Sequence, residues 1–397
     1  MRESFDLSKE YGIVLEGGGA KGAYQIGVWK AFLECGVKIK GVSGVSVGAL
    51  NGALICMGDY EQAEDIWKNI SYSRIMQVDD IQMDHLMSGN LKSLSLETMK
   101  KEGKRFLVGG GFDITPLKNL IENIVDEEKI KSSDIEFIMG TFSLSNMKEI
   151  EITAKEAEDG YLKDYLMASS YFPLFKSEKL HGKKYLDGGV LNNVPINMLI
   201  NRGYKNIIVV RIYGLGLEKR VKIPDDVNVI EISPNINLCS ILEFNKKKSV
   251  RNITLGYYDA LRVLKSLSGI EYYIDSNENE KKYLDNILQI EEELAMKLLT
   301  LFKRANVNKE FSTRMLIEEV LPQIAGAFKL DKNWNYKDMY FAILEYSAKK
   351  LRVQKYKLYK EEDFLLVVRN KLEECYNNEK KFNVWMELAL AISQNIA

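Results

Sequence analysis

Twice within the first fifty residues a short apolar run breaks into glycines and a helix-like stretch follows. That punctuation constrains the fold more than any other feature of the chain. Gly12-Ile13-Val14-Leu15 leads into Gly17-Gly18-Gly19-Ala20-Lys21-Gly22, and residues 21–35 then carry helical spacing through Ala23, Ile26, Trp29 and Leu33. Residues 37–42 lead into Gly44-Val45-Ser46-Val47-Gly48, and residues 47–57 read as a buried helix of small and apolar residues. Phe137-Ile138-Met139 and Ile150-Glu151-Ile152-Thr153 look like paired strands, and 206–213 and 227–232 add two more. Strands alternating with helices predict an α/β fold with a mostly parallel central sheet covered on both faces. The two glycine junctions then lie side by side at one sheet edge.

The first junction satisfies GxGxxG when taken alone, but a dinucleotide site also wants an acid at the end of the second strand. Lys38 and Lys40 stand in that strand and Ser43-Gly44 ends it, so the acid is missing. A phosphate-binding P-loop fails as well, because Ala23 follows Gly22. What remains is a set of backbone N–H groups at a helix start, suited to hold negative charge. The second junction is a GxSxG. A nucleophile elbow needs small residues two before and two after its serine, a strand before it and a helix after it. Gly44, Gly48 and the flanking segments meet these conditions for Ser46; Ser43 does not compete, since Val45 stands two places on. Donors from the glycine loop, with the N–H of Val47, would surround an oxyanion formed when Ser46 attacks an ester.

The base is the harder assignment. The chain holds two histidines, His85 and His181, and none after the second. An ordinary α/β-hydrolase runs in the order serine, acid, histidine. His85 falls in an irregular stretch and His181 in a turn before Lys184-Tyr185-Leu186. Asp187, at a strand end and followed by Gly188 and Gly189, is the better candidate. A free aspartate titrates near 3.9, too low for a base at neutral pH, but burial in a dry cleft raises it.

Three separated motifs, GGGxKG at 17–22, GVSVG at 44–48 and DGG at 187–189, resemble the patatin-like phospholipase family. So does Ala168-Ser169-Ser170-Tyr171-Phe172-Pro173-Leu174-Phe175, and residues 252–267 look like that family's closing helix. The resemblance spans about residues 8 to 275 and implies a three-layer fold and a Ser–Asp dyad of Ser46 and Asp187. It assigns the oxyanion hole to the amides of Gly17, Gly18 and Gly19. Lys21 stands where many members carry arginine. The substrate implied is a phospholipid or other acyl-ester lipid. The competing reading is an acyl-lipid- or partner-binding protein with a silent site.

Composition sets the remaining bounds. Of 397 residues, 46% are apolar and 28% charged, the balance of a globular protein. A net charge of −1 gives no global field for nucleic acid. The amino terminus lacks a secretory stretch, no run approaches a membrane span, and four scattered cysteines fit a reducing compartment. A cytoplasmic protein, peripheral at membranes and without cofactor or metal, is expected. Residues 1–275 read as the hydrolase domain, with 71–111 as a lid or a surface excursion. Residues 276–397 read as an all-helical domain that meets a regulator, a membrane or another subunit. Asn192 and Asn193 read as a helix cap, the lysines between 349 and 360 as a solvated helix face, and the stripe from Phe382 to Ile396 as helix packing.

Overall fold

The computed structural model describes residues 5–87, 111–277, 279–302, 313–378 and 382–394. The chain divides into two compact units, Phe5–Leu261 and Arg262–Ala397. The division falls within the helix Lys246–Leu264, ahead of the boundary expected at 275. Strand β8 (Tyr273–Asp275) pairs in parallel with β9 (Leu358–Lys360), which is why residues 262–275 group with the carboxy-terminal part.

The first unit is built on a seven-stranded sheet. Its strands are β1 (Glu10–Leu15), β2 (Lys38–Val45), β3 (Glu136–Ser143), β4 (Lys148–Thr153), β5 (Tyr185–Asp187), β6 (Asn206–Val210) and β7 (Asn228–Ile232). The order is β4-β3-β2-β1-β6-β7, with β5 also on β3. The β1–β2, β1–β6, β2–β3 and β6–β7 ladders are parallel, and only β4 and β5 run against β3. β1 is buried along all but its first residue, the pattern of a strand covered on both faces. Helix α1 (Ala23–Cys35) is entered through a 3₁₀ turn at Gly19–Gly22, and helix α2 (Val47–Met57) follows β2 directly. On one face Val14, Ile138, Met198, Leu199 and Ile207 close a core.

Of the expected 71–111 insertion, the described part holds the helices Tyr72–Ile75 and Asp80–Met87; residues 88–110 lie outside the described residues. The second unit packs helices including Glu280–Leu288, Tyr336–Lys350, Glu361–Asn377 and Val384–Gln394 around Tyr283, Tyr340, Phe341 and Phe364. Met386, Ala389 and Ile392 of the terminal stripe are buried in that core. The departure from an all-helical region is β9. It also corrects the lysine run: 349 and 350 end a helix, whereas 355, 357 and 360 lie in a turn and in β9.

Candidate active site

The sheet register brings Ser46 and Asp187 together. β2 pairs with β3 as far as Val45 against Gly140, and β5 takes over that edge of β3 with Asp187 against Thr141. Ser46 follows Val45 directly, so the hydroxyl and the carboxylate meet where one partner strand ends and the other begins. The Ser46 hydroxyl lies beside the Asp187 carboxylate, near enough to favour its ionised form. Ser46 is held at φ 53, ψ −130, a backbone state costly for a residue with a Cβ. Its N–H donates to Ser169 Oγ at 2.8 Å, and that hydroxyl donates to the Gly140 carbonyl at 2.6 Å. The Ala49 and Leu50 N–H groups bond the Ser46 carbonyl and start α2. Gly48 is required because a Cβ there would lie 2.2 Å from the Leu15 carbonyl oxygen, and at Gly44 it would lie 2.4 Å from the Gly48 oxygen. Ser43 is spent inside the strand, its hydroxyl on the Pro195 carbonyl at 3.1 Å.

Asp187 is 4% exposed and accepts the Gly189 N–H at 2.7 Å. Burial pushes its carboxyl up to about 6, against the Ser46 hydroxyl and the Gly189 N–H, which pull it down. Gly188 lets β5 pass close to β3, since a Cβ there would stand 2.5 Å from the Gly140 oxygen.

Gly18, Gly19 and Val47 line the cleft beside Ser46. Gly19 has φ +54 and would carry its Cβ 2.2 Å from the Ile241 carbonyl oxygen, which also accepts the Ala20 N–H at 2.8 Å. The Gly17 N–H donates to the Asn193 carbonyl at 3.2 Å, while Gly18, Gly19 and Val47 line the cleft. Lys21 reaches away, giving its ammonium to the Tyr213 carbonyl, and Gly22 lies against Val47.

Two residues at the centre of the site carried no such role in the sequence reading. Glu16, 1% exposed, takes five hydrogen bonds: from Asn193 Nδ2, Arg211 Nε, and the N–H groups of Ile212, Tyr213 and Gly214. Asn193 also gives Nδ2 to the Gly17 carbonyl at 3.1 Å. The helix-cap reading is therefore corrected: helix Ile196–Ile200 is capped at Pro195 without a side chain, Asn193 ties the glycine loop to the turn after Asp187, and Asn192 bonds Glu149 and Asn197. The sequence signal was there for Glu16. A carboxylate between a buried strand and a glycine triplet must find donors. Among the described residues neither histidine lines the cleft; His85 is on helix Asp80–Met87, and His181 stacks on Tyr161 with Nε2 2.6 Å from Asp164 Oδ2.

The cleft holds about 970 Å³ of space, part of it open to solvent, and its walls are mainly apolar. A polar pair at one point of an apolar cleft suits attack on a carbonyl carried by a hydrophobic molecule.

Residues 13–200 match the family model described as patatin-like phospholipase. Patatin-like phospholipase domain-containing protein 7 of Rattus norvegicus is 26% identical over 198 residues, which is 50% of this chain and 13% of that protein. Neuropathy target esterase sws of Drosophila melanogaster is 28% identical over 207 residues, 50% of this chain and 12% of that protein. Probable lipid hydrolase 463L of Invertebrate iridescent virus 6 is 27% identical over 207 residues, 50% of this chain and 66% of that protein. The match thus takes in half of this chain and a small part of the first two relatives. VipD from Legionella pneumophila, a solved structure, aligns over 98% of this chain and 93% of its own with 15% identity and a TM-score of 0.36. Residues 13–200, the stretch that carries the glycine loop, the elbow and the aspartate, are a patatin-like phospholipase domain.

Proposed function

We propose that the chain is a lipid acyl hydrolase of the phospholipase A or lysophospholipase type, working through Ser46 and Asp187 by way of an acyl-enzyme. The observation that carries this reading is the juxtaposition of Ser46 with the buried Asp187 on the wall of an apolar cleft, with the carboxyl raised to about 6. A base that titrates there is ionised at neutral pH and still close enough to the operating pH to take a proton. Ser46 Oγ attacks the acyl carbonyl carbon while its proton passes to Asp187. The N–H groups of Gly18, Gly19 and Val47 take up the oxyanion charge. The alcohol leaves with the proton from Asp187; water then attacks the acyl-enzyme as Asp187 takes its proton, and Ser46 Oγ leaves with that proton, which frees the carboxylic acid and restores both residues. The relatives whose names describe phospholipases and lipid hydrolases support a lipid ester as substrate.

The test is hydrolysis of phospholipid vesicles with analysis of the products. Ser46→Ala and Asp187→Asn are each expected to lower kcat by at least about a thousandfold, since a nucleophile and its base act as a unit. Full activity in either variant overturns the dyad. A wild-type protein that neither releases fatty acid nor reacts with a fluorophosphonate at Ser46 points instead to the silent binding protein.

A further inference from the structure

We infer that the loop Tyr213-Gly214-Leu215-Gly216-Leu217 is a preset wedge that docks the mouth of the cleft on an anionic lipid surface. The choice of partner rests on the lipid-hydrolase reading of the site. Tyr213, Leu215 and Leu217 are 51%, 67% and 62% exposed, large apolar side chains at every second position. Leu215 also lines the cleft, so the exposed set stands at its rim. Scattered exposed leucines are ordinary on a protein surface, but a contiguous set marks a contact.

The alternation is fixed by what the glycines touch. A Cβ at Gly214 would lie 1.9 Å from the Gly17 carbonyl oxygen, and one at Gly216 would lie 2.1 Å from the Gly189 carbonyl oxygen. These two positions press on the glycine loop and on the turn after Asp187. The residues between and beside them point outward, as alternate side chains do along an extended chain. The backbone is tied at both ends. Glu16 takes the N–H groups of Ile212, Tyr213 and Gly214, and the Leu217 carbonyl takes the Asn193 N–H at 2.7 Å. The Arg211 guanidinium sits 5.4 Å over the Tyr213 ring. A slack loop would fold its leucines back onto the protein; these ties hold them out in water, an unfavourable exposure that a lipid phase removes without ordering the loop first. Charge selects the partner. Lys219, Arg220 and Lys222 follow the wedge and are exposed, while the carboxylate of Glu218 is paired with Arg211. Apolar side chains beside basic ones suit a bilayer that carries anionic headgroups.

The experiment is sedimentation with vesicles of phosphatidylcholine, with or without about one third phosphatidylglycerol, using the full chain carrying Ser46→Ala so that the lipid stays intact. This parent protein is expected to partition onto the mixed vesicles, and less so at high salt. Adding Leu217→Ser is expected to weaken partition by about tenfold, and adding Leu215→Ser as well by about a hundredfold. Arg220→Glu with Lys222→Glu is expected to lower it by about tenfold or more on the mixed vesicles and to change it little on phosphatidylcholine alone. With Ser46 intact, Leu217→Ser is expected to keep kcat/KM on water-soluble p-nitrophenyl butyrate within about twofold and to lose about tenfold on vesicles. Partition that fails for the parent, or that stays unchanged in the folded variants, overturns the wedge. So does an equal loss on butyrate and vesicles, or a lipid-free dimer that Leu217→Ser dissociates, which makes this face a self-contact. A protein that binds vesicles through these residues yet hydrolyses no ester keeps the wedge and overturns the reading of Ser46.

Discussion

Asp187 carries two opposite pH effects. As the proposed base it must be ionised, so kcat/KM is expected to fall with a slope of one as pH drops through about 6. For stability the sign reverses. Its folded value lies above the unfolded one, so its contribution is present in full below about 4 and lost as pH rises through about 6. At pH 8 the fold bears a buried charge that it does not bear at pH 4. Asp187→Asn keeps an acceptor for the Gly189 N–H and removes that charge, so the inactive variant is expected to be more stable at pH 8, by on the order of 2–3 kcal/mol. Urea denaturation at pH 8 and pH 5 checks this: the gain should shrink at the lower pH.

At the scale of elements, the site depends on how closely β1, β2 and α2 approach. Gly48→Ala places a methyl 2.2 Å from the Leu15 carbonyl oxygen, a backbone atom that no rotamer change can move. The expected outcome is loss of activity with a destabilisation of about 3 kcal/mol or more, read by a thermal melt. This part of the site was legible in the sequence, because close backbone approach leaves glycine as its trace. The strands were legible too, since buried parallel strands read as apolar runs: β1 and β7 fall where 12–15 and 227–232 pointed. The supporting hydrogen bonds were not. Ser169, Glu16 and Asn193 act on residues 123, 195 and 176 positions away, and no local pattern records such pairings. The tie on Gly17 is of the same kind, since a distant carbonyl takes its N–H.

At the scale of the whole molecule, each unit buries a carboxylate that resists ionisation. In the second unit, Glu345 accepts the N–H groups of Ile270, Glu271 and Tyr272 at 3.0, 3.0 and 2.7 Å. Burial pushes it up to about 7 against those bonds. Its stabilising contribution is complete below about 4.5 and lost as pH rises through about 7. The melting midpoint is therefore expected to rise as pH falls from 8 to 6, and Glu345→Gln to flatten that rise; calorimetry across this range checks both. The boundary between the units was not legible, because β8 is three residues long and pairs with β9 across more than eighty residues of intervening chain. The takeover of one β3 edge from β2 by β5 has a further consequence during synthesis. Ser46 leaves the ribosome about 140 residues ahead of Asp187, a delay of roughly ten to thirty seconds at ordinary elongation rates. Ile241, against which the glycine loop is seated, arrives later still. The emerging chain thus carries Ser46 without Asp187 or the seated glycine loop, and on the proposed reading it is born inert.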